Sequence, residues 1–381
     1  MKRKQTAAAA AAVLLALSSP LLVLAGPSGA DGGVNEAYLA ELNDGTLQYS
    51  ELPGLVERYN VTYKNTYAQI AGQSQSLEAA RQLGKDADEA MDLKEDDMDE
   101  STRALYESYK EAAKAMRKQA AKLSDEDLSG TAERSLKMLK NQQTMLAQNL
   151  MIQYQKAASK KDLLAKQEEL AKAGYDAAAA RAGLGMASSE EVLSANQSWL
   201  QAQSAAVQMD SAVNSLKQNL LITCGWNADS DPEIAPLPEV DTARLDSMNL
   251  AADTETAAQA NYNLISMRQN GASGSVGRNA LKRNVSQTRQ SIAVSVEGLY
   301  AKAVAARQAY EGAEANFQAA SLDMQAADQK NAMGMMSKID YLSAQASYLT
   351  AKSERDDAMA DLFSSIQNYD WALKGMTVSQ S

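Results

Sequence analysis

The residue types that most often carry catalysis are scarce in this chain of 381 residues. It contains no histidine, so the commonest general base and the commonest transition-metal ligand are missing. Its one cysteine, Cys224, can form neither an internal disulfide nor a Cys-His nucleophile. Carboxylates are abundant but follow no specific spacing. We therefore expect a protein that is not an enzyme, with no catalytic residues, no metal site and no cofactor.

Three segments resemble ligand or attachment sites superficially. Residues 271–277 are rich in glycine, but they lack the Gly-Lys-Ser ending of a phosphate-binding loop and favour a flexible connector. Residues 86–100 are acidic without the spacing of a calcium loop, which favours a solvated helix face over cation binding. Cys224 ends a sequence similar to a lipoprotein box but lies far from the N-terminus, so we interpret it as a half-buried packing residue.

A repeated turn is the most informative feature. Residues 185–204 recur as residues 334–353, with 10 of the 20 positions identical. In each copy a glycine, which can take the left-handed conformation that ends a helix, precedes a serine that has an acid three residues later. Ser188 with Glu191 forms a capping box, and Ser337 with Asp340 is a close variant. The sequence therefore predicts two helical hairpins, each with its turn.

The repeated turns have two interpretations. Capping alone explains the serines and acids, because together they stabilise a helix start by about 1–2 kcal/mol. A turn at the far end of a long hairpin is also an exposed tip, where flexible side chains such as Met186 and Met335 make adaptable contacts. Packing between neighbouring hairpins is the alternative explanation for the methionines.

The prolines delimit the elements that position these turns. Pro53 opens one proline-free region, Pro232, Pro236 and Pro238 form an extended linker, and no proline follows. We predict a first hairpin repeat over 46–227, a linker over 228–241 and a second repeat over 242–375. In the first repeat, helices over 52–83, 131–182 and 189–223 accompany an acidic helical insertion at 85–130. In the second repeat, helices over 245–268 and 278–331 flank a loop at 270–277, and a return helix ends near residue 373.

Helices of about 50 residues are about 75 Å long and are stable only when another long helix packs along them. The first return helix places Val192, Trp199 and Ala206 seven residues apart, which is a heptad pattern. The predicted fold class is therefore all-α, with two tandem long helical hairpins of coiled-coil character and little or no β-structure. The pattern leaves open how many helices pack together.

The N-terminus predicts export. Lys2, Arg3 and Lys4 precede an apolar run that reaches Ala25, which is the order of a signal peptide over residues 1–25; an uncleaved anchor is the alternative. Its removal changes the net charge from −11 to −14 through the loss of those three cations. A protein this acidic is a poor nucleic-acid partner, because phosphate binding requires clustered lysine and arginine.

The two turns share the form Gly-x-x-Ser-x-x-acid-(Val/Tyr)-Leu-x-Ala-(Asn/Gln), and each is followed by a long helix that ends near a glycine. This arrangement resembles the TolC family of outer-membrane efflux proteins over residues 46–375. Residues 52–60 resemble that family's usual opening, and residues 250–255 do so more weakly. The resemblance implies a homotrimer that forms a hollow α-helical cylinder, the TolC-like α-barrel, in the cell envelope at the outer membrane.

The resemblance also implies a function. The chain would be a passive conduit of an efflux or secretion system, and its hairpin turns would dock an adaptor (membrane fusion) protein that works with an inner-membrane pump. The docking residues implied at the tips are Gly185, Met186, Ser188, Glu191, Val192, Leu193, Gly334, Met335, Ser337, Asp340, Tyr341 and Leu342.

One departure from the family keeps a second function open. The family inserts two membrane-spanning strands in each repeat, and such a strand needs about 9–11 residues of alternating character. Residues 270–277 are too short for this, and residues 86–100 are too acidic. We therefore expect no such strands. The alternative function is a structural coiled-coil protein that spaces or tethers layers of the cell envelope without transport.

Overall fold

A computed structural model describes residues 45–72 and 128–377, together with Gln82, Lys110, Glu111, Lys114 and Ala115. All of them lie in the structural unit Gly45–Ser381. The signal peptide expected at residues 1–25 lies outside the described residues, as does nearly all of the acidic insertion expected at 85–130. Both remain predictions.

The described residues are almost entirely helical, and the predicted all-α class is confirmed. Residues 61–72 are helical as well as the elements labelled here. The labelled helices are α1 (Leu52–Tyr59), α2 (Leu128–Gly183), α3 (Ser189–Thr223), α4 (Thr242–Asp246), α5 (Leu250–Ala260), α6 (Tyr262–Asn270), α7 (Gly274–Ala332) and α8 (Lys338–Leu373). Strands β1 (Thr46–Leu47) and β2 (Glu233–Ile234) pair in parallel, which ties the start of the first repeat to the linker.

The long helices pack side by side in the order α3, α2, α8, α7. Between the two inner helices, Lys156 Nζ lies 2.7 Å from Asp361 Oδ1, and Lys160 Nζ lies 2.8 Å from Asp357 Oδ2. As residue numbers rise along α2 they fall along α8, so these helices are antiparallel. The end of α2 and the start of α8 therefore lie at the same end of the bundle.

The apolar core lies at the other end, around the C-terminal half of α8. Leu362 and Ile366 pack there with Leu245 and Ala303, and the ring of Phe363 meets that of Tyr49 edge-on with centroids 4.8 Å apart. Cys224 is completely buried, where a half-buried residue was expected, and this burial raises the pKa of its thiol to about 12. A neutral packing thiol follows from its position.

Two helices predicted to be continuous are interrupted, and in each of them one break lies at a buried asparagine. The helix predicted over 52–83 breaks at Asn60, and the helix predicted over 245–268 divides into α4, α5 and α6, with Asn261 between the last two. Each asparagine is extended and caps the following helix, since Asn60 Oδ1 accepts from the Tyr63 N–H at 2.9 Å and Asn261 Oδ1 accepts from the Leu264 N–H at 3.0 Å. The predictions were wrong because each helix breaks at an asparagine, which is also compatible with a helix interior, and no proline or glycine marks the break in the sequence.

The same asparagines also join helix ends. Asn60 Nδ2 donates to the Thr223 carbonyl at the end of α3 at 2.8 Å, and Asn261 Nδ2 donates to the Gly375 carbonyl just after α8 at 3.5 Å. In each repeat the return helix therefore ends where another helix begins, and one side chain satisfies backbone groups of both.

The loop predicted at 270–277 is shorter than expected. Helix α6 ends at Asn270 and α7 already begins at Gly274. Gly271 and Gly274 have φ values of 58° and 73°, a region that favours glycine, so these two residues make the reversal, and Gly277 then lies within the helix. This three-residue connection separates the two helices of the second repeat.

Candidate functional site

The first hairpin tip is closed by backbone hydrogen bonds that a left-handed glycine permits. Gly185 has a φ of 72°, and its N–H donates to the Ala182 carbonyl at 2.9 Å while the Met186 N–H donates to the Arg181 carbonyl at 2.8 Å. Ser188 then starts α3, since its Oγ accepts from the Glu191 N–H at 3.1 Å. These bonds reverse the chain within a few residues.

The second tip repeats this geometry closely. Gly334 has a φ of 70°, its N–H donates to the Asn331 carbonyl at 2.9 Å, and the Met335 N–H donates to the Lys330 carbonyl at 2.9 Å. Ser337 Oγ accepts from the Asp340 N–H at 3.1 Å, as Ser188 does from Glu191. Because α2 and α8 are antiparallel neighbours, the two tips lie at the same end of the bundle.

The acids of the two predicted capping boxes have different partners. Glu191 pairs with Arg181 across the first turn, with Oε1 2.9 Å from Nη1. Asp340 Oδ2 accepts a hydrogen bond from the Ser337 hydroxyl at 2.6 Å. In the second hairpin the Tyr341 hydroxyl donates to Asp328 Oδ1 at 2.8 Å, which raises the pKa of Tyr341. Each tip is thus fastened by a side-chain contact between its two helices, which the spacing of the turn residues alone does not reveal.

The structure exposes most of the residues that the resemblance implied for docking. Met186 is 65% exposed and Met335 is 72% exposed, and a Cβ added to Gly185 or Gly334 would meet open space. Ser188, Glu191, Ser337 and Asp340 are exposed as well, whereas Val192 and Tyr341 are half-buried. Leu342 is the exception, because it is buried within the chain. The exposed Leu184 and Met333 adjoin the same surface.

No protein-family model and no curated protein matches this sequence. The structure is similar to that of the outer membrane channel CmeC from Campylobacter jejuni, with a TM-score of 0.52 and 13% identity over 90% of this chain and 88% of that one. The chain has the TolC-family fold. Lower similarity is found to the OprN channel (TM-score 0.49, 12% identity, 90% and 93% covered) and to VceC from Vibrio cholerae (0.47, 13%, 89% and 98%). In the part of the chain that the structure describes, no helix combines the length and the apolar character needed to cross a bilayer.

The outer helices of this TolC-like bundle each carry an exposed stripe of heptad spacing. On α3, Leu193, Leu200 and Val207 are seven residues apart and exposed, one position beyond the predicted seam of Val192 and Trp199 that packs within the hairpin. We call this row the α3 stripe. The α7 stripe comprises Val294, Ala301, Ala305, Gln308, Gly312, Ala315, Ala319, Leu322 and Ala326, all exposed.

Comparison of the two repeats shows how a neighbouring helix changes the exposure of this position. Leu193 and Leu342 occupy the same position after their tip glycines, yet Leu193 is 67% exposed and Leu342 is 4% exposed. The difference follows from the packing order, because α8 lies between α2 and α7, whereas α3 packs along α2 at the edge. A further helix laid on α3 would bury Leu193 as Leu342 is buried.

Proposed function

We propose that this chain is an exported TolC-like component of an efflux or secretion system in the cell envelope. It assembles as a homotrimer into a passive helical conduit at the outer membrane. It docks a periplasmic-type adaptor through its two hairpin tips, and the adaptor connects it to an energised inner-membrane pump. The observation that carries the proposal is the pair of matching tips, side by side at one end of the bundle, with exposed methionines.

The tips suit docking because their shape is fixed while their surface is adaptable. Backbone hydrogen bonds and the Arg181–Glu191 pair hold the first turn, and the Tyr341–Asp328 hydrogen bond holds the second hairpin close to its turn. Exposed Met186 and Met335 offer flexible, polarizable side chains to a partner. Two copies of this unit per chain give a trimer six tips, so a ring of adaptor subunits meets a repeated surface.

The edge stripes support the homotrimer. A four-helix layer with unpaired apolar edges on α3 and α7 closes on itself when the α3 stripe of one copy packs on the α7 stripe of the next. The alanines and the glycine of the α7 stripe permit close approach of the leucines and the valine of the α3 stripe. Such head-to-tail contacts form a ring whenever the rotation closes.

The docking proposal is tested by placing a charge on each tip. Met186→Glu and Met335→Glu together should weaken binding of any adaptor protein found to be encoded near this gene by at least tenfold, because each buries a charge in an apolar contact. The matched control is Val276→Glu, which changes an equally exposed apolar residue near the start of α7, far from the tips. Surface plasmon resonance on the purified mature protein measures both.

Equal affinity of the tip variant and the control for the adaptor would contradict docking through the tips. The spacer or tether remains the competing function, and electron microscopy separates the two. An assembled particle with an axial lumen supports the conduit, whereas a solid bundle supports the spacer.

A further inference from the structure

A basic cleft of about 600 Å³ lies where the two repeats meet, between α1, α2, α6 and the end of α8. Four cationic side chains line it, although the chain as a whole has a net charge of −11. They are Arg134, Lys137, Lys140 and Lys374. The described residues that line this cleft include no acid, although Lys140 pairs with Glu57 and Arg134 also has a partner. Two smaller clefts of the bundle, in contrast, are lined by acidic as well as basic side chains.

A buried polar group in this cleft has no partner. The side chain of Thr144 is 2% exposed, and its hydroxyl makes no hydrogen bond among the described residues. An unsatisfied buried hydroxyl is costly, and native structures rarely retain one without a reason. Since Thr144 lines the cleft, a ligand seated there would satisfy it.

The neighbouring polar side chains present donors to the cleft. Gln148 Oε1 accepts from the indole Nε1 of Trp371 at 2.8 Å, so the amide N–H groups of Gln148 are left to meet a ligand. Tyr262 accepts from Asn141 Nδ2 at 3.3 Å, which leaves its own O–H to donate. Cations and N–H or O–H donors together select an anionic group such as a carboxylate, sulfonate or phosphate.

The rest of the lining is apolar and aromatic. Trp371 is buried with the Lys374 ammonium 4.3 Å from its ring centroid, and Pro53 and Ile265 complete that side. A bare inorganic ion would leave this surface and most of the volume unused. Clefts of this size typically enclose ligands of metabolite or drug size.

We propose that this cleft binds a small organic anion with an aromatic or apolar body. The anionic head lies among Arg134, Lys137 and the Thr144 hydroxyl, and the body lies against Trp371 and Ile265. The second repeat lacks the equivalent residues, so the site is specific to this cleft. The position in α7 that matches Thr144 is Ala293, and the position that matches Gln148 is Glu297, whose carboxylate would repel an anion. The proposal does not rest on adaptor docking.

Calorimetric titration of the purified mature chain with naphthoate tests the site. Naphthoate should bind. Naphthalenemethanol, which lacks the negative charge, and inorganic phosphate, which lacks the aromatic body, should each bind at least tenfold more weakly. Arg134→Gln should weaken naphthoate binding roughly tenfold. The matched control is Arg283→Gln, at the same repeat position in α7, which should leave the affinity unchanged.

Thr144→Val provides a second measurement that does not alter charge. It should weaken naphthoate binding roughly fivefold through the lost hydrogen bond, while the melting temperature of the free protein stays the same or rises. The proposal is overturned if naphthoate binds the wild type no better than phosphate does, or if Arg134→Gln and Thr144→Val both bind it like the wild type.

Discussion

At the scale of single residues, the positive-φ glycines at the two ends of the return helices shape the molecule in two different ways. Gly185 and Gly334 turn the tips, where a side chain at either position would point into open space. Gly225 and Gly375 end the return helices, where a Cβ would overlap the carbonyl groups of Tyr59 and Ala260. At the tips, glycine is required only because the backbone has a positive φ. At the ends of the return helices, glycine is required for that reason and also because another backbone lies too close for a Cβ.

Alanine substitutions separate these two requirements. Gly185→Ala should lower the free energy of unfolding by about 1 kcal/mol, the cost of a left-handed L-residue. Gly225→Ala carries the same cost and also forces α3 away from Tyr59, so a loss of about 3 kcal/mol is expected. Guanidinium unfolding followed by far-ultraviolet circular dichroism measures both variants. Losses of equal size would show that the contact between Gly225 and Tyr59 contributes nothing.

At the scale of elements, the periodic patterns of the sequence predicted the two return helices. The tip glycines, the serine caps and the heptads of the return helices located both ends of α3 and the end of α8, because capping and packing act locally on those helices. The breaks at Asn60 and Asn261 were missed, since each asparagine acts through a carbonyl distant in the chain, that of Thr223 or Gly375. The sequence also did not predict that Leu342 is buried while its equivalent Leu193 is exposed. The two turn motifs are alike, and they do not determine which helix packs next to each of them.

The double role of Asn60 predicts an asymmetric response to a nearly isosteric change. Asn60→Asp keeps the oxygen that caps Tyr63 N–H, but it replaces the donor to the Thr223 carbonyl with an anion at the negative end of α3. The free energy of unfolding should fall by about 2 kcal/mol. Asn249→Asp is the matched control, because Asn249 caps α5 from an exposed position, and its loss should stay below about 0.5 kcal/mol. Similar losses in the same denaturation assay would rule out the bridging role.

At the scale of the whole molecule, the inner seam of the bundle and its exposed edge on α7 differ in chemistry. The seam between α2 and α8 inside one chain is crossed by ion pairs, Lys156–Asp361 and Lys160–Asp357. The positions of α7 that match those lysines are Ala305 and Ala309, so its outer edge is small and uncharged. An edge of this kind fits the α3 stripe better than it fits α8, which favours pairing of copies in one order only.

A charge in the α3 stripe should therefore dissociate the assembly without unfolding the chain. We expect the wild type to sediment as a trimer at micromolar concentration and Leu200→Glu to sediment as a monomer, because the interface would bury an unpaired carboxylate. Leu146→Glu is the control, since Leu146 is similarly exposed but lies on the inner helix α2, and it should stay trimeric. Circular dichroism should show the same helicity for all three. A monomeric wild type, or dissociation by both substitutions alike, would remove the α3 stripe as the contact between copies and with it the closed conduit.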